Sequence, residues 1–75
     1  MATVSLISGA LVDDASIEWR EECAKRFRQV LDMRRLPLYQ RRDYLANVQR
    51  REGDEAERRL REQFALDWER RKEEA

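Results

Sequence analysis

The sequence has no histidine and only one cysteine, and these shortages exclude several kinds of site. One cysteine cannot form an intramolecular disulfide, so the chain is not a disulfide-stapled secreted domain. A structural zinc site needs about four cysteine or histidine ligands. Without histidine, Ser–His and Cys–His catalytic pairs cannot form. The sequence therefore predicts no enzymatic activity, no metal and no cofactor, and we expect a reducing compartment.

Long apolar runs are also missing. None approaches the ~20 residues that cross a bilayer, and no charged start leads into a long apolar segment typical of a signal peptide. The two glycines, Gly9 and Gly53, lie too far apart in the sequence for a phosphate-binding loop. We therefore expect a cytoplasmic protein that does not associate with membranes.

Charge is what the chain has in abundance. Charged residues make up 43% of its 75 residues, with 16 Lys and Arg against 16 Asp and Glu. A chain this short buries only ~60% of the surface that its unfolded form exposes, so its hydrophobic core is small. Burial of further apolar surface against a second copy would stabilise it, and we expect a homodimer.

Residues 1–15 form an uncharged arm up to Val12, followed by Asp13 and Asp14. Ser8-Gly9 separates two short apolar runs, which is the pattern of a β-hairpin with a two-residue turn. Isolated hairpins are marginal in water, so a loosely docked or disordered arm is the alternative.

Residues 16–75 form a helical domain with three predicted helices. They run from Ile17 to Arg34, from Leu38 to Glu52 and from Glu55 to Glu73. Ser16 is a good N-cap, and Pro37 ends the first helix because the residue before a proline disfavours the α region. Gly53 is typical of a helix C-terminus, and Asp54 then caps the third helix. The fold class is all-α: a small three-helix bundle or a helical hairpin.

Apolar residues recur at steps of three and four along these helices, which predicts their buried faces. The candidate core or interface anchors are Trp19, Phe27, Leu45, Phe64 and Trp68. Cys23 lies on the same predicted stripe, so we interpret it as a small buried residue rather than a nucleophile. The two tryptophans are either core residues or anchors of an interface.

Fourteen of the sixteen cations are arginine, and nine of the basic residues lie between Lys25 and Arg51. Arginine binds carboxylates and phosphates through a planar fork. The candidate protein-binding residues are Arg34, Arg35, Arg41, Arg42, Arg50 and Arg51. Pairs four residues apart, such as Glu55–Arg59 and Glu57–Arg61, predict compensation in the first and third helices and leave the second helix least compensated. A solvated helical face is the ordinary alternative.

A pattern of residues from Ser16 to Trp68 resembles a group of small phage and prophage proteins of unknown function. It comprises Ser16-x-x-Trp19-Arg20-x-Glu22-Cys23-Ala24, Leu36-Pro37, Arg41-Arg42-x-Tyr44-Leu45-x-x-Val48, Arg50-Arg51-x-Gly53, Leu60 and Trp68-x-x-Arg71. The resemblance covers about two-thirds of the chain and implies a phage or prophage accessory protein in a bacterial cytoplasm. It implies no catalytic residue.

These observations favour a non-enzymatic accessory protein that binds and modulates a host or phage protein, with inhibition of host defence or regulation as one subtype. The alternative is a small nucleic-acid-binding regulator that uses the basic stretch 25–51. The zero net charge disfavours that alternative, since nucleic-acid-binding domains of this size usually carry net positive charge.

Overall fold

The computed structural model describes residues 2–74, which form two short strands followed by three helices. The elements are β1 (Thr3–Ser5), β2 (Leu11–Asp13), α1 (Ile17–Arg34), α2 (Leu38–Glu52) and α3 (Asp54–Glu74). The predicted bounds of α1 and α2 are confirmed, and α3 is one residue longer at each end than predicted. The chain is therefore mainly α-helical, with one small two-stranded sheet.

The N-terminal arm is a hairpin formed within the chain. The antiparallel register pairs Thr3 with Asp13, Val4 with Val12 and Ser5 with Leu11. The Leu6 N–H donates to the Ala10 carbonyl, and the Gly9 N–H donates to the Leu6 carbonyl, both at 2.9 Å. Three residues thus close the turn rather than the predicted Ser8-Gly9 pair. The φ of Gly9 is +92°, which explains why glycine ends this turn.

The helix ends follow from local side-chain chemistry. Ser16 caps α1 as predicted, its Oγ accepting the Trp19 N–H at 3.2 Å. Gly53 separates α2 from α3 with a φ of +99°. The predicted capping role of Asp54 is wrong, because Asp54 is already the first residue of α3. Its carboxylate instead accepts a hydrogen bond from the Gln49 amide at 2.7 Å.

The core lies where α3 packs against both α1 and α2. Its buried hydrophobic residues are Val30, Met33, Val48, Ala56 and Leu60, and the partly buried residues around them are Ile7, Tyr44, Leu45 and Phe64. Two of the predicted anchors, Leu45 and Phe64, therefore lie at the edge of this core.

Phe27, predicted as a core or interface anchor, does not lie in the core, because its side chain is 54% exposed. Cys23 is also exposed rather than buried. The inward side of α1 instead carries Arg26, Val30 and Met33, all at most 7% exposed. Phe27 follows Arg26 directly and lies about 100° further around the helix, so it points away from the core.

The molecule is flat. Its Cα atoms extend over 35 × 32 × 14 Å. Helices of 18, 15 and 21 residues with nearly parallel axes would give one long dimension and two short ones. Two long dimensions mean that the helix axes splay apart, so each helix keeps an open outward face.

Candidate functional site

Of the six arginines predicted to bind a protein partner, Arg34 instead forms an ion pair within the protein. Its guanidinium forms a two-point ion pair with Asp67 of α3, with Nε 2.9 Å from Oδ2 and Nη2 bonded to Oδ1. The hydrogen bonds to Asp67 raise the pKa of Arg34, and those from Arg34 lower the pKa of Asp67. Since the Asp67 side chain is only 13% exposed, this pair fastens α1 to α3.

Arg41, a second of these six arginines, also makes its contacts within the protein. Its Nε donates to the Met33 carbonyl at 3.1 Å, near the end of α1. Its guanidinium carbon lies 5.1 Å from the ring centre of Phe64 and 5.3 Å from that of Trp68, and Arg71 lies 5.2 Å from the Trp68 ring. These are cation–π contacts, so the Trp68 ring contributes to the packing of α3 against α2 although it is 41% exposed.

The other four predicted arginines are exposed: Arg35, Arg42, Arg50 and Arg51. None forms an ion pair within residues 2–74. Arg50 and Arg51 both bond to Asn47, through its side chain and its carbonyl respectively. Their charges are therefore not neutralised within the described residues, and for the three on α2, Arg42, Arg50 and Arg51, this agrees with the prediction for the second helix.

Two of these arginines share the outward face of α2, opposite the buried Val48. We call this face the outer α2 surface and define it by Tyr39, Arg42, Ala46 and Arg50, all exposed. Their spacing places them within about 40–60° of one direction around the helix. Tyr39 is 68% exposed, so the surface combines an open aromatic ring with two uncompensated guanidinium groups.

Sequence reasoning missed a polar network between α1 and α2. Arg26 is 7% exposed and Gln29 is 8% exposed. The Glu52 carboxylate accepts from Arg26 Nη2 at 2.8 Å and from Gln29 Nε2 at 2.9 Å, and it also pairs with Lys25 Nζ at 2.9 Å. Glu22 and Arg26 have the spacing of a pair within α1, but Arg26 bonds to Glu52 of α2 instead, and no local signal points to a partner 26 residues away.

This network sets the ionisation of Glu52. Burial on its own would raise the pKa of the carboxyl group, but hydrogen bonds from Lys25, Arg26 and Gln29 outweigh it and lower the pKa to about 2. The carboxylate is thus held as an anion, a structural role rather than one in acid–base chemistry at neutral pH.

A groove of about 360 Å³ lies between the hairpin, α1 and α3. Its apolar wall comprises Val4, Ile7, Trp19, Cys23 and Leu66. Polar contacts fix its floor: Arg59 Nη1 donates to the Ser5 carbonyl at 2.7 Å, and the Glu22 carboxylate accepts the Ile7 N–H at 3.2 Å. Trp19, a predicted anchor, is half-buried here. These contacts attach the hairpin to both helices, which stabilises an arm that would be marginal alone.

Within residues 2–74 the structure brings together no group of three or more residues able to ligate a metal ion. In the same range no helix has the length and apolar character needed to traverse a membrane.

No protein-family model, curated protein or solved structure matches this chain. The resemblance to phage and prophage proteins therefore stays a prediction.

Proposed function

We propose that this protein is a non-enzymatic interaction module that binds an acidic surface of another protein through its outer α2 surface. The observation that supports this most directly is the presence of Arg42 and Arg50 beside Tyr39, exposed and without carboxylate partners in the described chain. Six of the fourteen arginines form ion pairs in the described chain, and Arg42 and Arg50 are two of the eight that do not. These two share one face of α2 with Tyr39.

The composition of this surface suits a protein partner. Tyrosine and arginine are enriched among the residues that dominate binding energy at protein interfaces. A guanidinium fork matches a carboxylate in two-point geometry. Leu38, which is 63% exposed, lies at the start of the same helix and adds apolar area beside Tyr39.

We further propose that the protein is a phage or prophage accessory protein that acts in a bacterial cytoplasm on a host or phage protein. We also propose that its three helices form a small bundle and that the protein functions as a homodimer. Five hydrophobic side chains are fully buried within residues 2–74, a small core for one protomer. A second copy would add buried apolar surface.

The test compares two double variants of equal charge. Arg42→Gln/Arg50→Gln changes the outer α2 surface, and Arg61→Gln/Arg70→Gln removes the same charge from exposed positions of α3. Affinity capture from a bacterial lysate identifies the partner, and titration with the purified partner measures binding. We expect at least a tenfold loss for the α2 variant and little change for the control, because two carboxylate contacts are lost. Equal affinities for both variants would contradict the proposal.

Nucleic-acid binding is the second candidate. It is favoured by the four exposed arginines in the stretch 34–51, which lack ion pairs in the described chain, together with the exposed Arg28 of α1. Phosphate contacts make affinity fall steeply with salt. Titration with duplex and single-stranded DNA at about 50 mM salt separates the candidates, since the absence of binding there excludes this one.

A further inference from the structure

The first helix has a second apolar face that no element of the described chain covers. Ile17, Ala24, Phe27 and Leu31 are spaced by seven, three and four residues on the side of α1 opposite Arg26, Val30 and Met33. We call this set the outer α1 stripe. Ile17 is 69% exposed and Phe27 is 54% exposed, while Ala24 is exposed and Leu31 partly buried. A helix that is apolar on two opposite sides is typical of one that packs on both.

Two charged residues border the outer α1 stripe on one side. Glu21 and Arg28 are both exposed, and neither forms an ion pair within residues 2–74. They lie seven residues apart, two turns along the same face. Glu21 is near the beginning of the stripe and Arg28 near its end, so the edge is acidic at one end and basic at the other.

We propose that a second copy of this chain covers the outer α1 stripe, with the two α1 helices antiparallel. This inference rests on the homodimer proposed above and identifies its interface. A twofold axis between positions 25 and 26 brings Glu21 near the partner subunit's Arg28, which is two residues, about 3 Å, from the position directly opposite, and symmetry repeats the pair. The same register places Ala24 opposite the partner subunit's Phe27, so a small side chain meets a large one. In antiparallel coiled coils, the flanking positions of equivalent type face each other in this way.

The charge arrangement is what favours a second copy over another partner. An edge with an acid towards one end and a base towards the other is complementary to an antiparallel copy of itself. Two charged residues lie in the seam: Arg20, opposite the partner subunit's Leu31, and Arg34, opposite the partner subunit's Ile17. Arg34 is already paired with Asp67, and the long aliphatic chain of Arg20 can lie along the apolar surface while its charge reaches water. The stripe spans 15 residues, about 21 Å, so we expect a weak dimer with a dissociation constant on the order of 10 µM.

Charge reversal tests both the interface and its direction. Glu21→Arg places two arginines opposite each other at both symmetric contacts, and Arg28→Glu does the same with two glutamates. We expect each single variant to raise the dissociation constant about tenfold or more. A one-to-one mixture of the two variants restores both opposite-charge pairs in a heterodimer, so the mixture should regain dimer formation close to wild type.

Sedimentation equilibrium of the full chain over a dilution series gives these constants, with reductant present because Cys23 is exposed. Circular dichroism establishes that each variant keeps its helical content. Phe27→Gln should weaken the dimer, and Leu66→Gln, which changes a 65% exposed leucine on α3, should not.

Three results would overturn the proposal: a wild-type chain that is monomeric up to about 1 mM, a Glu21→Arg variant that dimerises like wild type, or a mixture that fails to recover dimer. The outer α2 surface is on another helix, so Arg42→Gln/Arg50→Gln should still dimerise. Loss of the dimer and loss of the acidic protein partner are thus measured independently.

Discussion

Neutralising Glu52 should weaken the attachment of α1 to the end of α2. In Glu52→Gln the side chain keeps its size but loses its negative charge. Arg26, which is 7% exposed, then remains as a buried cation with only the Gln29 amide oxygen and a neutral amide as acceptors. Removal of one partner of a buried ion pair is strongly destabilising because the other charge is left uncompensated.

The pKa of Glu52 gives the size of this effect. A pKa lowered from 4.5 to about 2 corresponds to roughly 3 kcal/mol of stabilisation when the carboxyl group is ionised. The side chain is 16% exposed, and some screening by water reduces this to about 2–3 kcal/mol. A chain of 75 residues has a total stability of roughly 4–11 kcal/mol, so the loss is a large share of it.

Urea and thermal unfolding followed by circular dichroism measure this loss. At pH 7 we expect Glu52→Gln to be less stable by about 2–3 kcal/mol and to melt roughly 10–20 °C lower. Because the folded-state pKa is depressed, the stabilisation is present above pH 4.5 and disappears as the pH falls to about 2. The difference between wild type and variant should therefore shrink over that range.

The matched control is Glu55→Gln. Hydrogen bonds from Arg58 and Arg59 also lower the pKa of Glu55 to about 2, but its side chain is 40% exposed and bonds only within α3. Water screens this carboxylate, so the control should lose much less stability than Glu52→Gln. Equal losses for the two variants at pH 7, or a difference between wild type and Glu52→Gln that stays constant from pH 7 to pH 2, would refute the reasoning.

Three further predictions concern the core, the linker and the thiol. Leu60→Ala should lower the free energy of unfolding in urea by about 2–5 kcal/mol, because Leu60 is 0% exposed and its truncation leaves a cavity. Gly53→Ala should cost about 1–3 kcal/mol in the same assay; no atom crowds an added Cβ, so the cost comes from the φ of +99° alone. Cys23 should react with a thiol reagent in the native protein about as fast as in the urea-unfolded chain, since it is exposed, and strong native protection would contradict its position.

The helices could be predicted because their signals are local. Ser16 caps α1 through a contact three residues away, and Gly53 ends α2 through its own backbone conformation. Pairs such as Glu55–Arg59 and Glu57–Arg61 formed as predicted because both partners share one helix. Each of these features depends on spacing that is visible in the sequence.

The candidate site could be predicted only in part, because its contacts join distant segments. Four of the six predicted arginines are exposed, in line with the lack of acids on α2 at suitable spacing. Arg34 and Arg41 are not free, since Asp67 and the Phe64–Trp68 pair lie on α3, far along the chain. Spacing within one helix carries no information about such partners.

The error at α1 has a physical cause that also bears on function. Periodicity assigns the apolar side of a helix to the core, but α1 is apolar on two sides, and the inward side includes Arg26 and Gln29. The Glu52 carboxylate makes their burial possible by satisfying them. The fold thus buries an arginine while it leaves Phe27 more than half exposed. In an isolated protomer the apolar area of Phe27 stays in contact with water, whereas a second α1 that covers Phe27 would bury that area. Of the two predicted roles of Phe27, core residue and interface anchor, its exposure favours the second.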